Sequence, residues 1–341
     1  SSGGGGSSSG SSRAKVSSLN PPLGFEGWKG APIFDDVEEI PVLFTKGADE
    51  AKFVVVGHST NLNNNKYFLA SLHKHGIKAA LSGNGTKWHW FEDKLVGPKA
   101  ALMALSGNPV VMFADTTDVM FSCSEAEILE RFEAADADIL LGGESQLWPE
   151  IKSYFDMTEE REMVDEIALG IDHQLGMRKN PAQILPGLDP RPNKWANGGT
   201  WMGRKDALLA YYEELESYLV DVSTGEFGDG FKRACIPYKM TMAEYKAHPV
   251  IAEGFFDDQT CLNRFLMESA GRKNKRVKVD MDGFMMLSVG GSPLSDFKPT
   301  EDGKNVYWAR TQKVPCAWHF NNPNAKKMIP IIARKYPNYW V

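Results

Sequence analysis

Two aspartates stand between two apolar runs in the stretch Val110-Val-Met-Phe-Ala-Asp-Thr-Thr-Asp-Val-Met-Phe121. Asp115 and Asp118 are three residues apart where an apolar strand would end, so both carboxylates can face one way and offer hard oxygen ligands to Mn2+ or Mg2+. Aspartate also caps turns, and on this stretch alone that use explains the pair at least as well. A third candidate ligand lies near the other end of the chain. His319, in Val314-Pro-Cys-Ala-Trp-His-Phe-Asn-Asn322, brings an imidazole to join the acidic pair.

The elements that must position these groups alternate along the chain. Residues 51–57, 77–81, 110–113 and 138–142 are short apolar runs that read as strands. Between them, 64–75, 99–105 and 125–135 carry apolar residues at helical spacing, the last behind Ser124 as N-cap. This β-α-β order predicts an α/β fold with a central, mostly parallel sheet flanked by helices. Open sheets of that kind bind ligands at the carboxyl ends of their strands, which is where Asp115 and Asp118 fall. Further helices are expected over 206–219 and 257–267, and residues 156–194 read as an insertion or flap. Residues 1–12 form a Gly/Ser spacer, 13–50 an extended Pro- and Gly-rich arm, and 51–341 the compact domain.

Composition narrows the class. With 341 residues, 42% of them hydrophobic, the chain has ample material for a large core. A net charge of -6 provides no basic field for a phosphate backbone, so nucleic acid is not expected as a partner. The run Arg272-Lys-Asn-Lys-Arg276 reads as a solvated loop after a helix. No stretch approaches the ~20 apolar residues that span a bilayer. The four cysteines, Cys123, Cys235, Cys261 and Cys316, lack metal-knuckle spacing and admit one or two disulfides.

The order of segments resembles the glycosyltransferase domain of procollagen-lysine hydroxylases and related collagen glycosyltransferases. The likeness rests on Phe113-Ala-Asp-Thr-Thr-Asp-Val-Met-Phe121, Gly143-Glu144 with Trp148-Pro149, Ala196-Asn-Gly-Gly-Thr-Trp-Met-Gly203, Asp257-Asp-Gln259 and, in part, His319-Phe-Asn-Asn-Pro323. It spans roughly residues 51–341 and implies the GT-A (Rossmann-like) nucleotide-sugar transferase fold. It implies that Asp115, Asp118 and His319 bind Mn2+ or Mg2+ and, through it, the diphosphate of a UDP-sugar. Lys99 matches a family lysine that contacts donor phosphate or sugar. Thr117 stands where the family has an aromatic residue near the base. Asn197, Gly198, Gly199, Asn321 and Lys326 fall on donor-binding segments, with Asn322 replacing a family glycine. Asp257, Asp258, Glu144 and Trp148 are the candidates for orienting sugar hydroxyls and steadying an oxocarbenium-like centre, and Trp201 for stacking on a sugar.

The resemblance therefore implies a metal-dependent hexosyltransferase with glucose as first choice of donor sugar. Its acceptor would be a protein-linked or glycan hydroxyl, collagen-like in the relatives, and it would work in the lumen of the secretory pathway. Nothing in the chain resembles the hydroxylase half of those bifunctional proteins. Two other readings use the same residues: a metal-dependent phosphohydrolase, and a UDP-sugar- or collagen-binding module without turnover.

Overall fold

The computed structural model describes residues 25–31, 40–88, 91–144, 195–221, 233–236, 241, 243, 258–270 and 276–340. Its first half supplies β1 (Phe25–Ala31), β2 (Ile40–Thr45), β3 (Phe53–His58), α1 (Lys66–Lys74), β4 (Lys78–Ser82), α2 (Phe91–Ala104), β5 (Val110–Ala114), β6 (Val119–Phe121), α3 (Glu125–Ala135) and β7 (Ile139–Glu144). Then come β8 (Trp195–Arg204), α4 (Lys205–Ser217), β9 (Leu219–Asp221), β10 (Arg233–Cys235), α5 (Asp258–Ala270), β11 (Val277–Asp280) and β12 (Met286–Ser288). The chain finishes with β13 (Phe297–Pro299), β14 (Val306–Trp308), β15 (Ala317–His319), α6 (Pro323–Lys335) and α7 (Pro337–Trp340).

Eleven strands form one sheet, in the order β1-β2-β4-β3-β5-β8-β7-β12-β15-β6, with β11 also on β7. The run β4-β3-β5 is parallel, as are β11 and β12 on β7 and β15 on β12. β3 and β5 are buried at every position, as a strand covered on both faces must be. The sheet is mixed, because β8 runs antiparallel between β5 and β7. That inserted strand brings Asn197, Gly198 and Gly199 beside the carboxyl end of β5.

Two corrections to the sequence reading follow. The described parts of the segment expected as an arm, 25–31 and 40–50, join the sheet or lie against it: β1 and β2 pair antiparallel, β2 pairs with β4, and Val42 and Phe44 enter the core. The helix expected over 99–105 starts at Phe91 instead, running through Gly97 and Pro98. The expected flap, 156–194, lies outside the described residues.

Apolar side chains pack on both faces of the sheet, one layer against α2, α4 and α5 and the other against α1 and α3. A third cluster, with Trp318, Trp308, Phe297 and Phe320 at its centre, seats α6 and α7 against β15. α6 starts cleanly. Asn322 accepts from the backbone N–H of Ala325 at 2.7 Å and Pro323 occupies the first turn, a cap worth about 1 kcal/mol.

Candidate metal and nucleotide site

β5 ends at Ala114, and the backbone N–H of Asp115 donates to the carbonyl of Gly199 on β8 at 2.9 Å. The chain then turns tightly, Val119 N–H donating to Asp115 O, and enters β6. β6 pairs with β15 in the register Val119↔His319, and Phe320 N–H donates to Asp118 O. This short ladder sets the acidic turn against the distant histidine. His319 Nε2 stands 3.6 Å from Asp118 Oδ1 and 3.7 Å from Asp115 Oδ2. One ligand atom from each of the three residues lies within 4.8 Å of the others.

Backbone donors fix the protonation of this histidine. Asn197 Oδ1 accepts from Gly199 N–H at 2.8 Å, and an N–H can only donate, so the amide oxygen is the atom facing that way. The same oxygen stands 2.7 Å from His319 Nδ1, which must therefore carry a proton. In the neutral ring, the lone pair is then on Nε2, directed at the aspartates. Nothing larger than glycine fits beside it: a Cβ on Gly199 would lie 2.0 Å from His319 Cε1.

The charges are arranged around a buried centre. Asp118 is 3% exposed, so the turn does not simply present both carboxylates to solvent. Burial opposes its ionisation, but His319 and then Lys326 outweigh that and hold its pKa down to about 2. For Asp115, burial prevails over the attraction of Lys94, and repulsion from Asp118 adds to it, so its pKa is raised. His319 is raised too: burial works against the charged ring, while Asp118 and Asp115 more than offset it. Lys94 Nζ spans Asp115 Oδ2 at 3.0 Å and Asp258 Oδ2 at 3.1 Å, and Lys326 Nζ sits 2.9 Å from Asp118 Oδ2. Two carboxylates and an imidazole, one carboxylate strongly favoured as an anion, form a donor set suited to Mn2+ or Mg2+.

The other expected site residues divide. Glu144, Asn197 and Asn321 meet: Glu144 Oε2 accepts from Asn197 Nδ2 at 3.0 Å and its Oε1 from Asn321 Nδ2 at 2.5 Å. Gln259 Nε2 adds a third donor to Oε2 at 2.9 Å. Gly198 lies over Asp258, where a Cβ would come within 3.1 Å of Oδ2. Thr117 is exposed on the rim. Lys99 is elsewhere, its Nζ 2.6 Å from Glu216 Oε2 on α4, because it is more than one helical turn beyond the residue that faces the turn. That residue is Lys94. Trp201 does not face a ligand either; it is 2% exposed and stacks on Phe113 at 3.9 Å in the core. Trp148 and Asp257 lie outside the described residues.

Sequence reasoning also missed a cleft. About 350 Å3 opens beside Asp115, lined in part by His58, Asn65, Trp88, Thr116, Thr117 and Lys94. His58 ends β3, one strand from Asp115, so the rule about carboxyl ends of strands could have found it. Gly83 and Gly97 make room for its ring, since a Cβ on either would approach it to 2.1 or 2.2 Å. Asn65 is 2% exposed; its Nδ2 donates to Ser59 Oγ at 2.7 Å, and its Oδ1 has no hydrogen-bond partner among the described residues.

Residues 49–160 match the family model described as the PLOD GT domain. The match covers β3 to β7, Lys94, the acidic turn and Glu144, and amounts to 112 of the 341 residues. It agrees with the resemblance drawn from the motifs. No curated protein sequence gives a significant match. Among solved structures, the chain is similar to the apo form of mouse xyloside xylosyltransferase 1, at 14% identity over 64% of this chain and 58% of that one, with a TM-score of 0.29. So loose an overlap carries no argument about activity. No helix among the described residues is long and apolar enough to cross a membrane.

Two disulfides complete the picture, Cys123–Cys316 and Cys235–Cys261. The first joins the residues just beyond β6 and just before β15, behind the ladder that aligns Asp118 with His319.

Proposed function

We propose that the chain is a UDP-sugar-dependent glycosyltransferase, with glucose the favoured sugar and a protein-linked or glycan hydroxyl, collagen-like in the resembling family, as acceptor. The observation that carries this reading is the convergence of Asp115, Asp118 and His319 at the end of β5, beside an open cleft. The match of residues 49–160 to the PLOD GT domain supports the same class.

Asp115, Asp118 and His319 would hold a divalent ion, which would supply positive charge where a diphosphate leaving group develops negative charge. The chain's own groups do the rest. Lys94 and Lys326, one on each aspartate, are placed to turn their ammonium groups toward phosphate oxygens. The cleft beside Asp115 receives the nucleoside, with Trp88 at its rim and the Asn65 amide in its wall. Asp258, tied to Lys94 and lying against the small Gly198, orients sugar hydroxyls. Two disulfides accord with work in the lumen of the secretory pathway.

A panel of UDP-sugars with Mn2+, with and without a glycosylated collagen peptide, tests the proposal. UDP release from UDP-glucose that rises on adding the peptide is the expected result. Phosphate release from simple esters instead would make it a phosphohydrolase. Calorimetric binding of UDP and Mn2+ with no turnover would leave a binding module.

A further inference from the structure

Three side-chain amides surround Glu144, and each has its orientation set by a backbone N–H. Gly199 N–H fixes the oxygen of Asn197, Gly198 N–H that of Gln259 at 3.0 Å, and Gly290 N–H that of Asn321 at 2.6 Å. All three amides must therefore present NH2 to the Glu144 carboxylate, and all three do. The donors come from β8, from α5 and from the residues after β15. A carboxylate accepts only, so Glu144 is the one side-chain type of this length that satisfies three converging donors. Its two oxygens are engaged by protein groups, an arrangement suited to holding neighbours still.

From this we infer that Glu144 is a positioning residue for the metal site, acting through Asn197 to fix the tautomer and angle of His319. This rests on the metal reading given above. The chain of contacts is Glu144 Oε2 to Asn197 Nδ2, then Asn197 Oδ1 to His319 Nδ1–H, leaving Nε2 as the ligand atom. Removing the acceptor breaks that chain. Asn197 and Gln259 both donate to Oε2 and Asn321 alone to Oε1, so a glutamine at 144 keeps its oxygen toward Asn197, whereas a leucine offers it no acceptor at all. The Asn197 NH2 is then unpaired, its amide is held only through Gly199 N–H, and the imidazole it supports is free to tilt away from the ligating angle. Partners at this remove from a metal typically alter its affinity by about 10–100-fold.

Mn2+ alone, titrated into the full chain and followed by electron paramagnetic resonance, provides the test. Glu144→Leu is expected to weaken Mn2+ binding by about 10–100-fold and to diminish the nitrogen modulation in the spin-echo spectrum that reports imidazole on the ion. Adding Asn197→Asp to Glu144→Leu keeps an acceptor on Gly199 N–H and His319 Nδ1–H and leaves no NH2 at 197 to go unpaired. It should recover much of the lost affinity and the nitrogen signal, a rescue that a merely structural defect would not give. If Glu144→Leu fails to fold, Asn197→Ala tests the same link while leaving Glu144 two of its donors. Wild-type affinity and nitrogen modulation in whichever of these single variants folds overturns the inference, as does failure of the second substitution to rescue. A wild-type chain that binds no Mn2+ overturns the metal reading itself, and is told apart by needing no variant.

Discussion

Gly199→Ala is the sharpest test of the geometry. The added methyl would begin 2.0 Å from His319 Cε1, 2.5 Å from Nε2 and 2.6 Å from Nδ1, whereas ordinary contact starts at 3.4 Å. The ring has to retreat by about 1.4 Å, the gap between those two distances. It cannot do so freely, because Asn197 holds it from one side and β15 is locked between β12 and β6. Overpacking of this kind costs about 1–3 kcal/mol, which a chain of this size should survive. Metal ligation is far less forgiving, since ligand distances hold to about ±0.2 Å. The expected result is a variant that unfolds cooperatively a few degrees below the wild type but loses about tenfold or more in Mn2+ affinity, comparable with the 10–100-fold losses from disturbing a ligand's support. Thermal unfolding and Mn2+ titration measured on the same sample decide it. A variant that binds Mn2+ as tightly as the wild type would show that His319 is not a ligand, whatever its stability.

Asp115→Asn and Asp118→Asn should each abolish Mn2+-dependent UDP binding by calorimetry. Lys94→Met should weaken UDP binding with Mn2+ present, while Lys99→Met, at an ammonium paired with Glu216 on α4, should leave it unchanged; the reverse outcome would restore Lys99 to the site. In chelator, the pKa of Asp118, held at about 2 instead of 3.8, contributes about 2 kcal/mol of stability. That contribution is complete above pH 3.8 and lost as pH falls toward 2, so Asp118→Asn should flatten the acid limb of an unfolding curve in that window. His319 has the opposite sign: its raised pKa favours the fold below pH 6.5, an advantage that disappears as pH rises through the folded value.

The sheet was legible where burial leaves few choices. Val54, Val55 and Val56, and Val110 to Phe113, lie in strands covered on both faces, and unbroken apolar runs have few alternatives there. The acidic turn was legible because two carboxylates interrupt such a run. Other parts obeyed local rules that long-range contacts overrode. Gly97-Pro98 should weaken a helix, yet Gly97 is required where α2 passes His58, and reading the helix as starting at Lys99 hid Lys94. β8 is central but antiparallel, and nothing in Ala196-Asn-Gly-Gly-Thr-Trp-Met-Gly203 announces which neighbours it will have. The surroundings of Glu144 were not legible, because one sequence cannot reveal three amides from distant segments turning toward it.

The bridge behind the β6–β15 ladder imposes an order of events on synthesis. Cys123 precedes its partner by 193 residues, whereas Cys235 and Cys261 are 26 apart and lie wholly inside that interval. At about 5–20 residues per second, the ribosome leaves the first thiol waiting roughly 10–40 s while two competitors emerge. Early closure of the inner pair removes both competitors, so the nested pattern lets the outer sulfur find its mate. A polypeptide that stops short of Cys316 keeps a reactive thiol and also lacks the imidazole needed to grip a cation: the same omission that disables it leaves it chemically marked.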